Sequence, residues 1–291
     1  MKRRQFIEQS LLTAGSTLLL GGMAKAVAPQ DIVFGHGNKR YRLNRQWSKA
    51  EVSRYPVNDC HEMLQDSKGR IVLLTNETRN NVLLYDKSGK ILDSWGTEYP
   101  GAHGLSIFNE GGEDVLFICD NNRHQVIKTN MQGKVLMTLD YPAMTGEYSK
   151  PEEFIPTETA IAPNGDIYVV DGYGKDFVIQ YDYKGNYIRH FGGRGPEAKH
   201  LRNAHGICVD LRHKTPELIV TSREQNAFKR YSLQGEYIGT IEVPGAWVCR
   251  PVIKDEYLYA AVLQSNSRLW QQSGFVTILD AQHKVVSNLA G

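Results

Sequence analysis

An all-β ring of four-stranded repeats is what this 291-residue chain encodes. One segment plan recurs five times, with a polar opening followed by short apolar runs broken by Gly, Asn and Asp. The openings are Asp59-Cys-His61-Glu-Met-Leu-Gln-Asp66, Gly101-Ala-His103-Gly-Leu-Ser-Ile107, Pro156-Thr-Glu158-Thr-Ala-Ile161, Asn203-Ala-His205-Gly-Ile-Cys-Val-Asp210 and Cys249-Arg250-Pro-Val-Ile253. Their matching positions lie 42, 55, 47 and about 44 residues apart, a period filled by four short strands and their turns. A shared turn is the second sign. Asp86-Lys-Ser-Gly89, Asn130-Met-Gln-Gly133, Asp182-Tyr-Lys-Gly185 and Ser232-Leu-Gln-Gly235 occupy one place in four repeats. In each, the polar first residue can accept from the turn backbone and Gly supplies a positive φ. Helical periodicity is absent throughout, which excludes a bundle or a doubly wound sheet. Meanders at this spacing are blades, so the predicted fold is a β-propeller.

The chain opens with an address. Met1-Lys-Arg-Arg-Gln-Phe-Ile7 pairs two arginines ahead of apolar residues. Leu11-Leu12 and Leu18-Leu19-Leu20 follow, and Ala24-Lys-Ala26 is a small-x-small cleavage pattern. Residues 1–26 resemble a twin-arginine export signal cut near Ala26, which predicts a periplasmic or secreted mature chain and the twin-arginine machinery as a partner. Nothing later is long and apolar enough to span a bilayer.

Residues 27–57 form a lead-in, within which Lys39–Trp47 alternates as a strand would. Residues 58–291 hold the propeller. In the first repeat, Asp66-Ser-Lys-Gly69 turns the chain into Ile71–Thr75, a polar loop leads to Val82–Tyr85, and Asp86–Gly89 turns it into Ile91–Trp95. Repeats two to four copy this plan. The fifth departs most, with Tyr257–Val262 followed by a longer loop to Phe275–Leu279. Five repeats are visible, and Gly291 comes directly after the fifth. The strand Tyr41–Trp47 has no blade of its own, so it is expected to be the outer, ring-closing strand of a last blade. The expectation is a six-bladed ring truncated at its C-terminus, with a wedge-shaped gap between repeats one and five. A sealed five-bladed ring is the alternative.

Composition narrows the function. The formal charge is +2, and the first 26 residues carry +3 of it, leaving a near-neutral body without the basic stripe of a nucleic-acid binder. Four cysteines are few for a disulfide scaffold and lack metal-type spacing. Their apolar settings suggest buried free thiols, although a Cys60–Cys249 bridge stays open.

The repeat phase carries the chemistry. His61, His103 and His205 would project from the starts of innermost strands around one mouth of the central channel. Three imidazoles with a fourth position for water or substrate make the ligand set of a catalytic zinc site. Glu158, at the same phase, is a candidate ligand or an acceptor that orients a histidine. Side chains that merely fill a wet channel are the alternative. On the loops above, Tyr173 stands between two glycines in Asp171-Gly-Tyr173-Gly-Lys-Asp176, and Arg223 in Ser222-Arg223-Glu-Gln-Asn226 could clamp a carboxylate.

His103-Gly-Leu-Ser, Arg123-His-Gln-Val-Ile-Lys128, Pro156-Thr-Glu158, Asp171-Gly-Tyr173, His205-Gly-Ile and Ser222-Arg223-Glu-Gln-Asn together resemble the NHL-repeat propellers over about residues 40–291. Within them the chain is most similar to the peptidyl-α-hydroxyglycine α-amidating lyases. That resemblance implies a six-bladed propeller with zinc held by three histidines of alternate blades and a structural calcium. It places His103 and His205 on two ligand positions, with the third in the sixth blade. It makes Tyr173 the catalytic base and Arg223 a substrate-binding residue. The implied reaction breaks a carbinolamide C–N bond to give an amide and glyoxylate. Two departures stand out. Asn76-Glu-Thr replaces an essential arginine of the first repeat, for which Arg79 could substitute if its loop bends back, and His61 is additional. A metal-dependent lyase-like enzyme acting on a peptide or small molecule is the leading expectation. The competitors are a non-catalytic propeller that binds a protein or glycan, and a calcium-centred, lactonase-type hydrolase.

Overall fold

The computed structural model describes residues 32–265 and 274–289; the export signal expected over residues 1–26 lies outside them. A hairpin of β1 (Val33–His36) and β2 (Lys39–Arg42) comes first. Blade one is β3 (Glu62–Gln65), β4 (Ile71–Leu74), β5 (Val82–Tyr85) and β6 (Ile91–Trp95). Blade two is β7 (Ala102–Glu110), β8 (Glu113–Asp120), β9 (Gln125–Asn130) and β10 (Val135–Leu139). Blade three is β11 (Glu158–Ile161), β12 (Ile167–Val170), β13 (Phe177–Tyr181) and β14 (Tyr187–Gly192). Blade four is β15 (Ile207–Asp210), β16 (Glu217–Ser222), β17 (Ala227–Ser232) and β18 (Tyr237–Glu242). Blade five is β19 (Ala246–Lys254), β20 (Tyr257–Ser265), β21 (Phe275–Leu279) and β22 (Val285–Leu289). Each blade is an antiparallel meander in which sequence neighbours pair.

The turns form as their residues require. Asp86 Oδ1 accepts from the backbone of Ser88 (2.8 Å) and Lys90 (3.1 Å), and Gly89 follows at φ +85°. Asn130, Asp182 and Ser232 repeat the arrangement ahead of Gly133, Gly185 and Gly235. These glycines sit where the preceding blade presses in. A Cβ at Gly133 would lie 2.6 Å from the Trp95 ring, and one at Gly235 2.5 Å from Phe191.

Strand side chains alternate between two interfaces, so a blade between two others is apolar on both faces. Leu116 and Ile118 of β8 pack with Val72 and Leu84 of blade one, whereas Phe117 and Cys119 pack with Val169 and Ile179 of blade three. Similar cores join blades three and four, and four and five. Burying a large apolar side chain contributes about 1.5–3 kcal/mol, which makes these four seams the main source of stability.

The seam between blades five and one differs. Among the described residues no core cluster spans it. Leu258, Ala260 and Val262 of β20 face blade four, while the alternate residues Tyr259, Ala261 and Leu263 face the seam. Met63 on the blade-one side is 54% exposed and Leu263 44%, so among the described residues the inner part of the seam is left uncovered.

Its outer part is covered by the lead-in. His36 N–H donates to Ser287 Oγ of β22 (2.9 Å), and the Tyr41 and Tyr259 hydroxyls are 3.0 Å apart. Trp47 Nε1 then donates to Lys87 O (3.1 Å) in the blade-one turn, as Trp95 Nε1 donates to Met131 O (3.1 Å) in the blade-two turn. Trp47 therefore takes the place that the end of an outermost strand takes in the next seam. The lead-in forms a separate two-stranded hairpin, and the strand expected over Lys39–Trp47 is shorter than that reading. The strand ends at Arg42, because Asn44 Oδ1 accepts from Gln46 N (3.1 Å) and turns the chain.

Candidate functional site

The His-Gly pairs owe their position to close backbone approach. A Cβ on Gly104 would lie 2.4 Å from Thr157 O, and one on Gly206 2.8 Å from Arg250 Cα. Glycine lets each innermost strand press against the next blade, which seats the preceding histidine at the channel mouth. His103 Nδ1 donates to Thr157 O (2.9 Å), an acceptor only, so its Nε2 lone pair points into the channel. His205 is held by its backbone, whose N–H donates to Thr221 Oγ1 (3.0 Å).

The Tyr173 loop is pressed down in the same way. A Cβ on Gly172 would sit 1.6 Å from Ala204 O, and one on Gly174 2.1 Å from Asp171 Oδ1. Asp171 ties the loop by accepting from Ile155 N (2.7 Å), Lys175 N (2.6 Å) and the Tyr148 hydroxyl (2.6 Å). The outcome is a shared contact. The Tyr173 hydroxyl lies 2.9 Å from His205 Nε2 and 3.3 Å from His103 Nε2. The His103 ring stacks on His61 at 4.2 Å between centroids and meets the His205 ring edge-on at 4.8 Å. The three imidazoles from blades one, two and four thus share one mouth.

Burial, reinforced by His61, pushes His103 down to about 4, and burial followed by the Arg223 charge holds His205 well below the ordinary imidazole value. Both are neutral at pH 7, so each ring keeps one nitrogen lone pair. His205 Nδ1 and Arg223 Nε are buried without hydrogen-bond partners. Arg223 opens a short 3-10 turn after β16 and donates through Nη2 to Cys249 Sγ (3.1 Å). No described ion pair gives it a carboxylate. These groups line a cavity of about 420 Å³ with Cys60, His61, Tyr173 and Cys249. All four cysteines are free thiols, and Cys60 is exposed rather than buried.

Two expected residues do other things. Glu158 is not turned toward the imidazoles. Its carboxylate accepts from Ser106 Oγ (3.2 Å) and Thr159 N (3.0 Å) and lies 3.4 Å from Arg250 Nε. Arg250 also pairs through Nη1 with Glu62. This triad forms a waist in the channel, with the histidine cavity on one side and an apolar cavity of about 440 Å³ on the other. Burial drives Glu158 well above the usual carboxylate range against the pull of Arg250, with Glu62 pushing the same way. Arg79 is exposed and clamps Glu77 through Nε (3.0 Å) and Nη2 (3.1 Å), away from the cavity lining. Sequence reading missed the waist. Its signal was Arg250 at the fifth repeat phase and Glu62 beside His61, two charges in apolar strands.

A family model described as a 6-bladed β-propeller matches residues 159–288. A probable peptidyl-alpha-hydroxyglycine alpha-amidating lyase of Caenorhabditis elegans is 30% identical over 154 residues, 52% of this chain and 39% of that protein. Peptidyl-alpha-hydroxyglycine alpha-amidating lyase 1 of Drosophila melanogaster is 32% identical over 156 residues, 52% of this chain and 26% of that protein. Human NHL repeat-containing protein 3 is 25% identical over 187 residues, 58% of this chain and 51% of that protein. The chain therefore spans between about a quarter and about half of the length of the curated relatives it matches. Among solved structures, a protein of unknown function from Bacteroides caccae superposes with a TM-score of 0.58 at 15% identity, covering 87% of this chain and 85% of that one. A streptogramin B lyase superposes at 0.56 and 13% identity, covering 80% and 69%. Both show the fold alone. No described helix is long and apolar enough to cross a membrane. The chain is a β-propeller, related in sequence to peptidyl-α-hydroxyglycine α-amidating lyases and to an NHL repeat-containing protein.

Proposed function

We propose that the chain is an exported, metal-dependent lyase that breaks a carbon–nitrogen bond in a peptidyl-α-hydroxyglycine-like carbinolamide. The observation that carries this reading is the convergence of His103 Nε2 and His205 Nε2 on the Tyr173 hydroxyl, beside an arginine without a carboxylate partner. A metal fits the donor set, since both nitrogens belong to buried neutral imidazoles and neutral imidazole is the ligand form. His103 and His205 would hold it with His61 beside them. Zinc there would supply Lewis-acid polarisation of the substrate oxygen.

The remaining roles fall to the chain. Arg223 would take the substrate carboxylate, using the buried Nε that now lacks a partner. Tyr173, acting as its phenolate, would take the carbinol hydroxyl proton on Oη and return that proton to the departing nitrogen. As the C–O bond becomes a carbonyl, the C–N electron pair leaves with nitrogen, which is protonated to give the amide. The waist formed by Glu62, Arg250 and Glu158 closes the cavity floor. The paired arginines at the N-terminus support export, with cleavage near Ala26; an intact mass that retains Met1 would count against it.

Glyoxylate release from an N-acyl-α-hydroxyglycine tests the reaction. Tyr173→Phe should lower kcat by about 100-fold or more, on the scale of a lost general base, with zinc content unchanged. Unaltered turnover in Tyr173→Phe, or none in the wild type with zinc bound, would overturn this assignment. The open apolar seam favours a second reading, a propeller that binds a polypeptide, and that reading predicts that Tyr173→Phe changes nothing.

A further inference from the structure

The turn between the third and fourth strands ends in glycine in blades one to four, at φ +83° to +85°. Blade five keeps the turn but not the glycine. Asp280 Oδ1 accepts from Gln282 N and Lys284 N (2.9 Å each), and His283 stands in the glycine's place at φ +62°. A side chain in this left-handed region carries a penalty of about 1–2 kcal/mol, so the imidazole is placed at a cost. Its Nε2 is buried and has no hydrogen-bond partner.

That ring faces a prepared set of groups. Asp210 ends β15, Glu217 begins β16, and the two are directly paired across the hairpin. His213 lies in the turn between them, with its ring 6.1 Å from that of His283. One ligand-capable atom each from Asp210, His213, Glu217 and His283 lies within 4.8 Å of the other three. No other such cluster of three or more occurs among the described residues, and the axial histidines are gathered less tightly. Strands alternate in direction, so these two turns lie at the strand ends opposite those that carry His103 and His205. The cluster joins blade four to blade five on the other face of the ring.

The carboxylates already have partners. Arg212 Nη2 lies 2.7 Å from Asp210 Oδ2, and Arg230 Nη2 lies 2.8 Å from Glu217 Oε2. Each carboxylate oxygen keeps a further lone pair beyond these contacts. The pairs also weaken a cation's hold, and they account for neither the strained imidazole nor its unpaired nitrogen. Two imidazoles with two carboxylates are donors suited to zinc and its first-row neighbours rather than to magnesium or calcium. From this we infer that Asp210, His213, Glu217 and His283 bind one divalent transition-metal ion that staples blades four and five together.

Equilibrium dialysis of the full chain against zinc chloride tests the inference. His283→Gly restores the turn residue of the other four blades and should fold well. It should bind one zinc equivalent fewer than the wild type and lose much of the zinc-dependent rise in Tm, while its metal-free Tm stays equal or higher. His213→Ala, at an exposed position, should lose the same equivalent. Cobalt should give a visible absorption band in the wild type that weakens in both variants. Unchanged zinc stoichiometry in both variants overturns the site. Because the readout is a difference of one equivalent, it is independent of whether the axial histidines hold metal.

Discussion

Gly172 shows how much a single missing side chain decides. Its Cα lies against Ala204 O so closely that a Cβ would sit at 1.6 Å. Gly172→Ala must therefore lift the loop and carry the Tyr173 hydroxyl away from His103 and His205. Overpacking of this kind costs about 1–3 kcal/mol, so urea unfolding should show a modest loss of stability while turnover falls far more. The waist gives a pH prediction. Glu158 has a folded pKa above its ordinary 4.5, so its contribution to stability is fully present below about pH 4.5 and lost as pH rises through the folded value. Glu158→Gln is neutral at every pH and lacks that slope. Wild type should exceed the variant in stability by more at pH 5 than at pH 8, and an equal difference at both would show an ionised Glu158. Arg250→Met leaves Glu62 without its cation and should cost about 3–5 kcal/mol by chemical denaturation.

At the scale of strands and turns, the repeat was open to sequence reading and the exceptions were not. Strand periodicity and the Asp-x-x-Gly turns locate the blades because both signals are local. Arg250 and Glu62 pair across 188 residues, which no local pattern reveals. The His283 turn lacks the glycine that marks its four counterparts, so its equivalence emerges only from the backbone bonds of Asp280. The lead-in was half legible. Trp47 was readable as a strand-end aromatic, but the Asn44 turn that ends β2 competes with the alternation of the flanking residues. Trp47 packs 5.2 Å from Tyr85 and anchors this segment on blade one. Trp47→Ala should lower stability by about 2 kcal/mol, on the scale of burying one large apolar side chain. Limited proteolysis should then cut first within residues 43–58; unchanged protection would mean that the segment is held elsewhere.

For the molecule as a whole, the propeller turns short-range repetition into long-range convergence. His61, His103 and His205 are far apart in sequence, yet their rings lie within 5 Å of a neighbour because each begins an innermost strand. The same geometry draws in Glu158 and Arg250, which sequence phase alone could not tell from ligands. Four seams share apolar cores, and blades two to four, which hold His103, Tyr173 and His205, have such a core on both faces. The proposed chemistry requires those imidazoles to act together on one ion. Anomalous diffraction at the zinc edge from crystals grown with zinc tests it most directly. A peak within about 2.0–2.1 Å of both His103 Nε2 and His205 Nε2 is the predicted result, and a zinc-containing crystal with no density between those nitrogens would contradict it.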